Sequence, residues 1–350
     1  MYILMRNTYL IKSDNLDMKR IKTELKNWKE CSHGNKIDLI YLGHNQLSIK
    51  KYWLSSTIKN NISDEKYTLA HKDKLYETLK NNYKKNNYMI EQININFLDY
   101  YKNLNKLNKY QNLFLDNKVW IFKPTAGFSG VMIEIFNNYN DFYNYCKNIK
   151  DKYVHKWEKM KLNEKLTLGN NYKWVLQEYI QNPTLIKKKK FHFRVYFLYF
   201  YKNKKKYGYW IKDLIPIYIA KTKYKNSDFL NKDIHDTHYK TSDEALLLDK
   251  SIKNLNIENI HQQIENIVSD LLKVFNPTCF SENKYCFELF GIDFILDKNQ
   301  NVKIIELNSK IGFKHDKIDE TEIFLNIYRE IIQPIFEPKS KKKDTIFVPI

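Results

Sequence analysis

The sequence predicts an α/β (α+β) protein of two or three packed lobes, and three observations carry that reading. Its 350 residues are enough to build several lobes around a substantial core. Short apolar runs with strand alternation recur along the chain between segments of helical spacing. One hairpin, Phe287 to Lys310, carries oxygen-bearing side chains where a buried hairpin should carry apolar ones.

Residues 1–85 read as a small N-terminal lobe. A strand near Tyr2 to Ile11, a helix near Asp17 to Lys29, a strand Ile37 to Leu42 and a helix opening near Asp64 or Thr68 follow one another.

Residues 86–185 read as a central lobe built on VWIFKPTAGFSGVMIEIF, Val119 to Phe136: a strand, a glycine loop and a second strand. Gly127 and Gly130 let the loop backbone approach a phosphate closely, and Lys123 just before it supplies a point charge. A Walker loop is excluded, because no Gly-Lys-Ser/Thr follows and the next element is a strand. An ordinary tight loop remains the alternative. Trp174 to Ile186 then reads as a short strand running into a turn at Pro183.

Residues 186–336 read as a C-terminal lobe. Alternation in KFHFRVYF puts His192, Arg194 and Tyr196 on one face of a strand and Phe191, Phe193 and Val195 on the other. A strand at Ile215 to Ala220 follows, and then a helix from about Ile252 to Phe275, with Ile260, Ile264, Ile267 and Leu271 on its core face. Another helix spans about Glu320 to Phe336, and residues 337–350, with KSKKKD, read as a mobile basic tail.

The hairpin lies between those two helices. Asp297 to Asn301, DKNQN, is turn chemistry between two apolar runs. A four-residue loop, Lys298 to Asn301, pairs Asp297 with Val302, Ile295 with Ile304, Asp293 with Glu306 and Gly291 with Asn308. Asp293, Glu306 and Asn308 then share one face, with Glu306 and Asn308 about 7 Å apart. Phe290, Ile292, Phe294 and Ile305 fill one face, and Leu289, Ile295, Val302 and Ile304 the other, so the hairpin is expected to be buried. Carboxylates there need a partner or a metal, and two carboxylates with an amide suit Mg²⁺ held together with nucleotide phosphates. Lysine pairing or solvated strand ends is the alternative.

The formal net charge of +19 gives the surface a long-range attraction for anions. Nucleic acid, acidic protein tails and nucleoside triphosphates all qualify as partners, and so does a merely solvated lysine surface. Cys31, Cys146, Cys279 and Cys286 form no CxxC pair, which argues against a zinc framework and gives no convincing disulfide framework. A reducing, cytoplasmic setting is the simplest expectation. No stretch approaches 18 apolar residues, and the N-terminal apolar run is broken by Arg6.

ELFGIDFILD followed by IIELN resembles the last motif of the tubulin–tyrosine ligase-like family of ATP-grasp amino-acid ligases. The resemblance covers roughly Lys72 to Phe336 and rests on five motifs in order. It implies an ATP-grasp fold of three lobes, with ATP between the central and C-terminal lobes. Asp293, Glu306 and Asn308 would then hold the magnesium ions of bound ATP, two in number. TLAHKDKL is similar to the family's LTxKDxL and places Lys72 near the phosphates; a surface lysine is the alternative. Lys123 matches the phosphate lysine, with Gly127 to Gly130 as the phosphate lid. Gln177, Glu178, Tyr179 and Ile180 fall where the family's linker offers backbone groups to adenine.

In KKFHFR, Lys190 matches the second phosphate lysine and Arg194 the arginine at the reacting end. His192 stands where the family has aspartate, and a neutral imidazole offers no carboxylate. IHDTHYK resembles HLTNYS, putting Thr237 and His238 near ribose and phosphates and Tyr239 near the amino-acid substrate. Zinc at His235 and His238 lacks a third soft ligand. The family arginine for the amino-acid carboxylate would fall near Tyr218, where only Lys212, Lys221 and Lys223 are found.

The resemblance implies transfer of a γ-phosphoryl group to a carboxylate, then attack by an amine on the acyl phosphate. Metals and cations must be preorganised for such charge. The expected enzyme is a monomer joining a free amino acid, glutamate first and tyrosine as the near alternative, to an acidic acceptor, with tubulin tails the first guess. A rival reading is an inactive relative that binds nucleic acid or acidic surfaces, supported by the charge and by 27 Tyr and 20 Phe. No recognisable RNA-binding or zinc-finger signature accompanies it.

Overall fold

The computed structural model describes residues 7–12, 16–31, 37–42, 58–60, 69–83, 87–96, 99–100, 103–125, 133–158, 173–237, 246–275, 285–309, 311, 315, 317–336 and 345–350, the side chains of 150–158 excepted. The chain opens with β1 (Thr8–Lys12), helix α1 (Met18–Glu24), β2 (Lys29–Glu30), β3 (Leu39–Leu42), β4 (Ile58–Asn60) and helix α2 (Lys72–Asn82). Asp17 starts α1 by accepting from the Lys19 and Arg20 N–H groups at 2.9 and 3.3 Å.

A small antiparallel sheet follows, in the order β5-β8-β6-β7, from β5 (Gln92–Asn96), β6 (Trp120–Pro124), β7 (Glu134–Phe136) and β8 (Lys173–Glu178). Helix α3 (Tyr139–Glu158) and a 3₁₀ segment (Leu104–Phe114) cover it. Phe142 from α3 meets Phe122 edge-on, and Phe122 stacks on Trp174, so aromatic rings fill this core.

The second sheet grows around the long strand β10 (Lys189–Lys202). Its other members are β9 (Leu185–Ile186), β11 (Lys205–Ile211), β12 (Pro216–Ile219), β13 (Leu246–Leu247), β14 (Tyr285–Leu296), β15 (Val302–Asn308) and β16 (Phe347–Pro349). Helix α4 (Lys232–His235) precedes β13, α5 (Ile257–Val274) precedes β14, and α6 (Glu320–Ile327) follows β15. The alternation of β10 holds: Phe191, Phe193 and Val195 join the core under α5, while Tyr196 and Leu198 join the core on the opposite face with Leu325 of α6. Ile260, Ile264, Ile267 and Leu271 of α5 are buried as their spacing predicts, each contributing roughly 1.5–3 kcal/mol of burial.

The strands β1 to β4 do not form a sheet of their own. β4 pairs in parallel with β14, Tyr285 opposite Ile58 and Phe287 opposite Asn60, so the N-terminal strands extend the C-terminal sheet. The chain changes sheet between β4 and β5, on either side of residue 85, but the strands before that point share their sheet with the C-terminal strands.

The predicted turn is right in chemistry and off by one in length. Asp297 Oδ1 accepts from the N–H groups of Asn299 and Asn301, and Gln300 takes φ 61°. The ladder resumes at Leu296 opposite Val302, one residue earlier than expected, and continues through Ile295 opposite Lys303 and Phe294 opposite Ile304. A β-bulge at Ile305 then absorbs the extra residue, and Asp293 faces Glu306 and Gly291 faces Asn308 as predicted. Two face assignments are corrected by that bulge. Val302 and Ile304 lie in the same core as Phe290, Ile292 and Phe294, whereas Ile305 turns with Glu306 to a cleft between the sheets.

Two further expectations change. The C-terminal end of the expected basic tail is ordered: Phe347, 2% exposed, completes an edge of β11, because FVP and the following isoleucine are apolar enough to cover it. Cys286 is buried and disulfide-bonded, although the cysteine spacing offers no convincing disulfide, while Cys31 and Cys146 are free. Among the described residues no helix is long and apolar enough to cross a membrane.

Candidate active site

Between the two sheets lies a cleft of about 950 Å³, its open mouth included. Lys123 and the segment Gln177 to Ile180 line one wall; Lys190, His192, Thr237 and Glu306 line the other. These residues come from distant parts of the chain, and each belongs to a motif legible in the local sequence. Size and lining suit a ligand of nucleotide dimensions.

A transverse row across three adjacent strands sets the chemistry of the far end. Arg194 on β10 lies opposite Asp293 on β14, which lies opposite Glu306 on β15. Arg194 Nε and Nη2 donate to the two oxygens of Asp293 at 2.7 and 2.8 Å, a forked pair with the carboxylate fully buried. Burial pushes the Arg194 guanidinium down, and Asp293 more than reverses that, leaving it raised. In the next row, Gly291 lies between Tyr196 and Asn308. The missing side chain matters there, because a Cβ on Gly291 would sit 3.0 Å from Arg194 Cδ. Arg194 reaches Asp293 by folding over that gap.

Asn308 Nδ2 donates to Asp293 Oδ2 and to Glu306 Oε1, both at 3.1 Å. Lys72 from α2 pairs with the other oxygen of Glu306 at 3.0 Å. The donor set fits a hard cation, because the Asn308 amide brings an oxygen of Asp293 and one of Glu306 to the same place. Among the described residues no cluster of three His, Cys, Asp or Glu occurs. Two carboxylates and an amide leave the remaining positions to phosphate oxygens or water, as magnesium prefers.

The lysines are held individually. Lys123, 3% exposed, donates to Gln177 Oε1 at 2.9 Å. Gln177 Nε2 in turn donates to Gln92 Oε1 at 3.3 Å, and Gln92 Nε2 reaches the Lys72 carbonyl at 3.1 Å. Burial first, then the neighbouring Lys72, pushes the Lys123 ammonium down to about 7. Lys190 donates to Tyr179 Oη and to the His235 carbonyl, both at 2.9 Å, and burial pushes it down to about 7 as well.

The side chain of Gln177 thus links Lys123 to Gln92, while its backbone lies in the sheet between Gln92 and Ile121. The N–H groups of Glu178 and Tyr179 donate to the carbonyls of Glu91 and Val119, which removes them as donors to a base.

His192 stacks on Tyr218 at 4.7 Å and 10°, with Nδ1 2.5 Å from Thr237 Oγ1. Tyr218, at the place expected for a substrate arginine, also lies 5.6 Å beneath the Arg194 guanidinium. Gly127, Gly130, His238 and Tyr239 lie outside the described residues. Sequence pattern assigns no site role to Gln92, Tyr218 or His235. Gln92 carries no motif, and His235 matches the first residue of HLTNYS without a role being drawn from it.

The sequence profile of the tubulin-tyrosine ligase family matches residues 54–345. A probable tubulin–tyrosine ligase of Schizosaccharomyces pombe is 27% identical over 194 residues, covering 51% of this chain and 47% of the relative. One of Saccharomyces cerevisiae is 25% identical over 265 residues, 65% of this chain and 35% of the relative. A probable tubulin polyglutamylase of Caenorhabditis elegans is 23% identical over 251 residues, 67% of this chain and 55% of the relative. A tubulin glycylase of Tetrahymena thermophila is 23% identical over 245 residues, 64% of this chain and 21% of the relative. The matches thus cover from about a fifth to little more than half of these relatives' lengths.

Proposed function

The chain belongs to the tubulin-tyrosine ligase family, and from that premise we propose that it is an ATP- and magnesium-dependent ligase that joins a free amino acid to an acidic protein acceptor. The observation that carries the proposal is the convergence on one cleft of two buried lysines, a strand-end linker and Glu306, with Asp293, Asn308, Lys72 and Arg194 bonded in sequence behind it.

In this reading Lys123 and Lys190 steady the nucleotide phosphates. Asp293, Glu306 and Asn308 are the residues that would hold magnesium, which when bound offsets charge on phosphate oxygens. Lys72 and Arg194 serve as internal counter-charges to the acidic row while no cation is bound. Arg194, which the resemblance puts at the reacting end, would stabilise charge developing on the transferred phosphoryl group. The acceptor carboxylate is activated as an acyl phosphate, and the amine of the incoming amino acid displaces phosphate. No nucleophile from the protein is required.

Tubulin tails are the first acceptor to try, on the +19 charge and on what the named relatives act on. Glutamate is the first amino acid and tyrosine the second. The test measures ADP release with Mg-ATP, a panel of free amino acids and tubulin, for wild type and Glu306→Gln. Turnover that requires one amino acid and is lost in the variant is expected. Equal release by both proteins, or failure of wild type to bind ATP, would overturn the ligase reading and turn attention to the basic surface as a binding face.

A further inference from the structure

Behind Lys190 runs a chain of hydrogen bonds whose direction is fixed by its far end. His235 Nε2 lies 3.0 Å from the Ser227 carbonyl oxygen. A carbonyl only accepts, so Nε2 carries the proton. The other nitrogen, Nδ1, lies 2.9 Å from Tyr179 Oη. With His235 neutral, Nδ1 is an acceptor and the Tyr179 hydroxyl donates to it. Tyr179 oxygen therefore turns its lone pairs to Lys190 Nζ, which donates at 2.9 Å and lies 4.4 Å from the tyrosine ring centroid.

The surroundings keep His235 neutral. Tyr179, Tyr224 and Phe229 enclose its ring at 5.8, 5.7 and 5.2 Å. Burial lowers its pKa more than the Ser227 hydrogen bond raises it, and the Lys190 charge adds to the lowering against a lesser effect of Asp228. Tyr224, whose hydroxyl donates to the Gln181 carbonyl at 2.5 Å, also has its oxygen beside the Tyr179 hydroxyl, as a second neighbour of the chain.

We propose that Tyr179 and His235 are positioning residues for Lys190: the directed chain Ser227–His235–Tyr179 aims the Lys190 ammonium into the cleft. It also joins the segment that carries Ser227 and Phe229 to the Lys190 wall of the cleft. Sequence separations of 11 and 56 between the bonded residues make this a tertiary device. The proposal rests on the reading of Lys190 as a phosphate lysine.

The test is Mg-ATP binding by calorimetry, without acceptor, for wild type, Tyr179→Phe, Lys190→Met and the double variant. Tyr179→Phe keeps the ring and removes only the hydroxyl, and is expected to weaken binding roughly tenfold. That loss disappears when Lys190 is already Met, because the two act as one unit. The pH at which binding begins to weaken moves lower in Tyr179→Phe, since the ammonium has lost an acceptor. His235→Asn, whose amide oxygen can replace Nδ1 as acceptor, retains binding, while His235→Leu behaves like Tyr179→Phe. Additive losses in the double variant, or an unmoved pH profile in Tyr179→Phe, would overturn the inference alone. Undiminished binding by Lys190→Met would overturn the phosphate reading and the inference together.

Discussion

Arg194 and Asp293 face each other on neighbouring antiparallel strands and are joined by two hydrogen bonds, at 2.7 and 2.8 Å, in a place where the carboxylate has no solvent exposure. The integrity of the acidic row depends on that pair, because a buried charge without its counter-charge is far more costly than no charge at all.

Asp293→Asn should therefore destabilise the fold by about 3–5 kcal/mol, read as a lower urea midpoint at constant slope. Replacing both partners, Arg194→Met with Asp293→Leu, should recover most of that loss. If the double variant is as unstable as the single one, the pair is not the source of the cost.

Gly291→Ala tests the gap over which Arg194 folds. The new methyl would meet Arg194 Cδ at 3.0 Å and Nε at 3.3 Å, and Arg194 cannot easily yield while its Nε and Nη2 are engaged by Asp293. A loss of about 1–3 kcal/mol is expected by thermal melting. An unchanged melting temperature would mean the arginine can leave Asp293 at little cost.

Lys123 and Lys190 are both pushed down to about 7 in the free protein, principally by burial. Phosphate oxygens favour the charged form, so nucleotide binding should take up protons at pH 8 and weaken as pH rises above about 7. Calorimetry in Tris and in HEPES reads this directly, as an observed enthalpy that changes with buffer ionisation. Identical enthalpies in the two buffers would show that the lysines are already charged before binding.

The same shifts act on stability. Against an ordinary lysine value of 10.5, a folded value near 7 means the unfolded chain holds more protons between those pH values. Stability should therefore rise with pH from about 7 to about 10.5, and carry the full cost of charging the buried ammonium below 7. Lys123→Met should reduce that slope, measured as unfolding free energy from pH 6 to 10. A slope equal to wild type would remove Lys123 as its cause.

Local pattern was enough for several features of this protein. Two-residue alternation put His192, Arg194 and Tyr196 on one face of β10, and alternation together with a DKNQN turn brought Asp293, Glu306 and Asn308 onto one face of a hairpin. Such signals are legible because strand geometry repeats every two residues whatever the strand packs against. Tertiary structure decided the rest. The bulge at Ile305 moved Val302 and Ile304 to the core face, and nothing in an apolar run marks where an extra residue will be accommodated. The pairing of β4 with β14 merged the N-terminal strands into the main sheet. The Arg194–Asp293 fork, the Lys123–Gln177–Gln92 chain and the His235–Tyr179–Lys190 chain join residues from 11 to 99 positions apart. Their physical cause is the same: a buried polar group must find its partner among whatever groups the packed lobes bring within about 3 Å, and that neighbourhood exists only once the chain has folded.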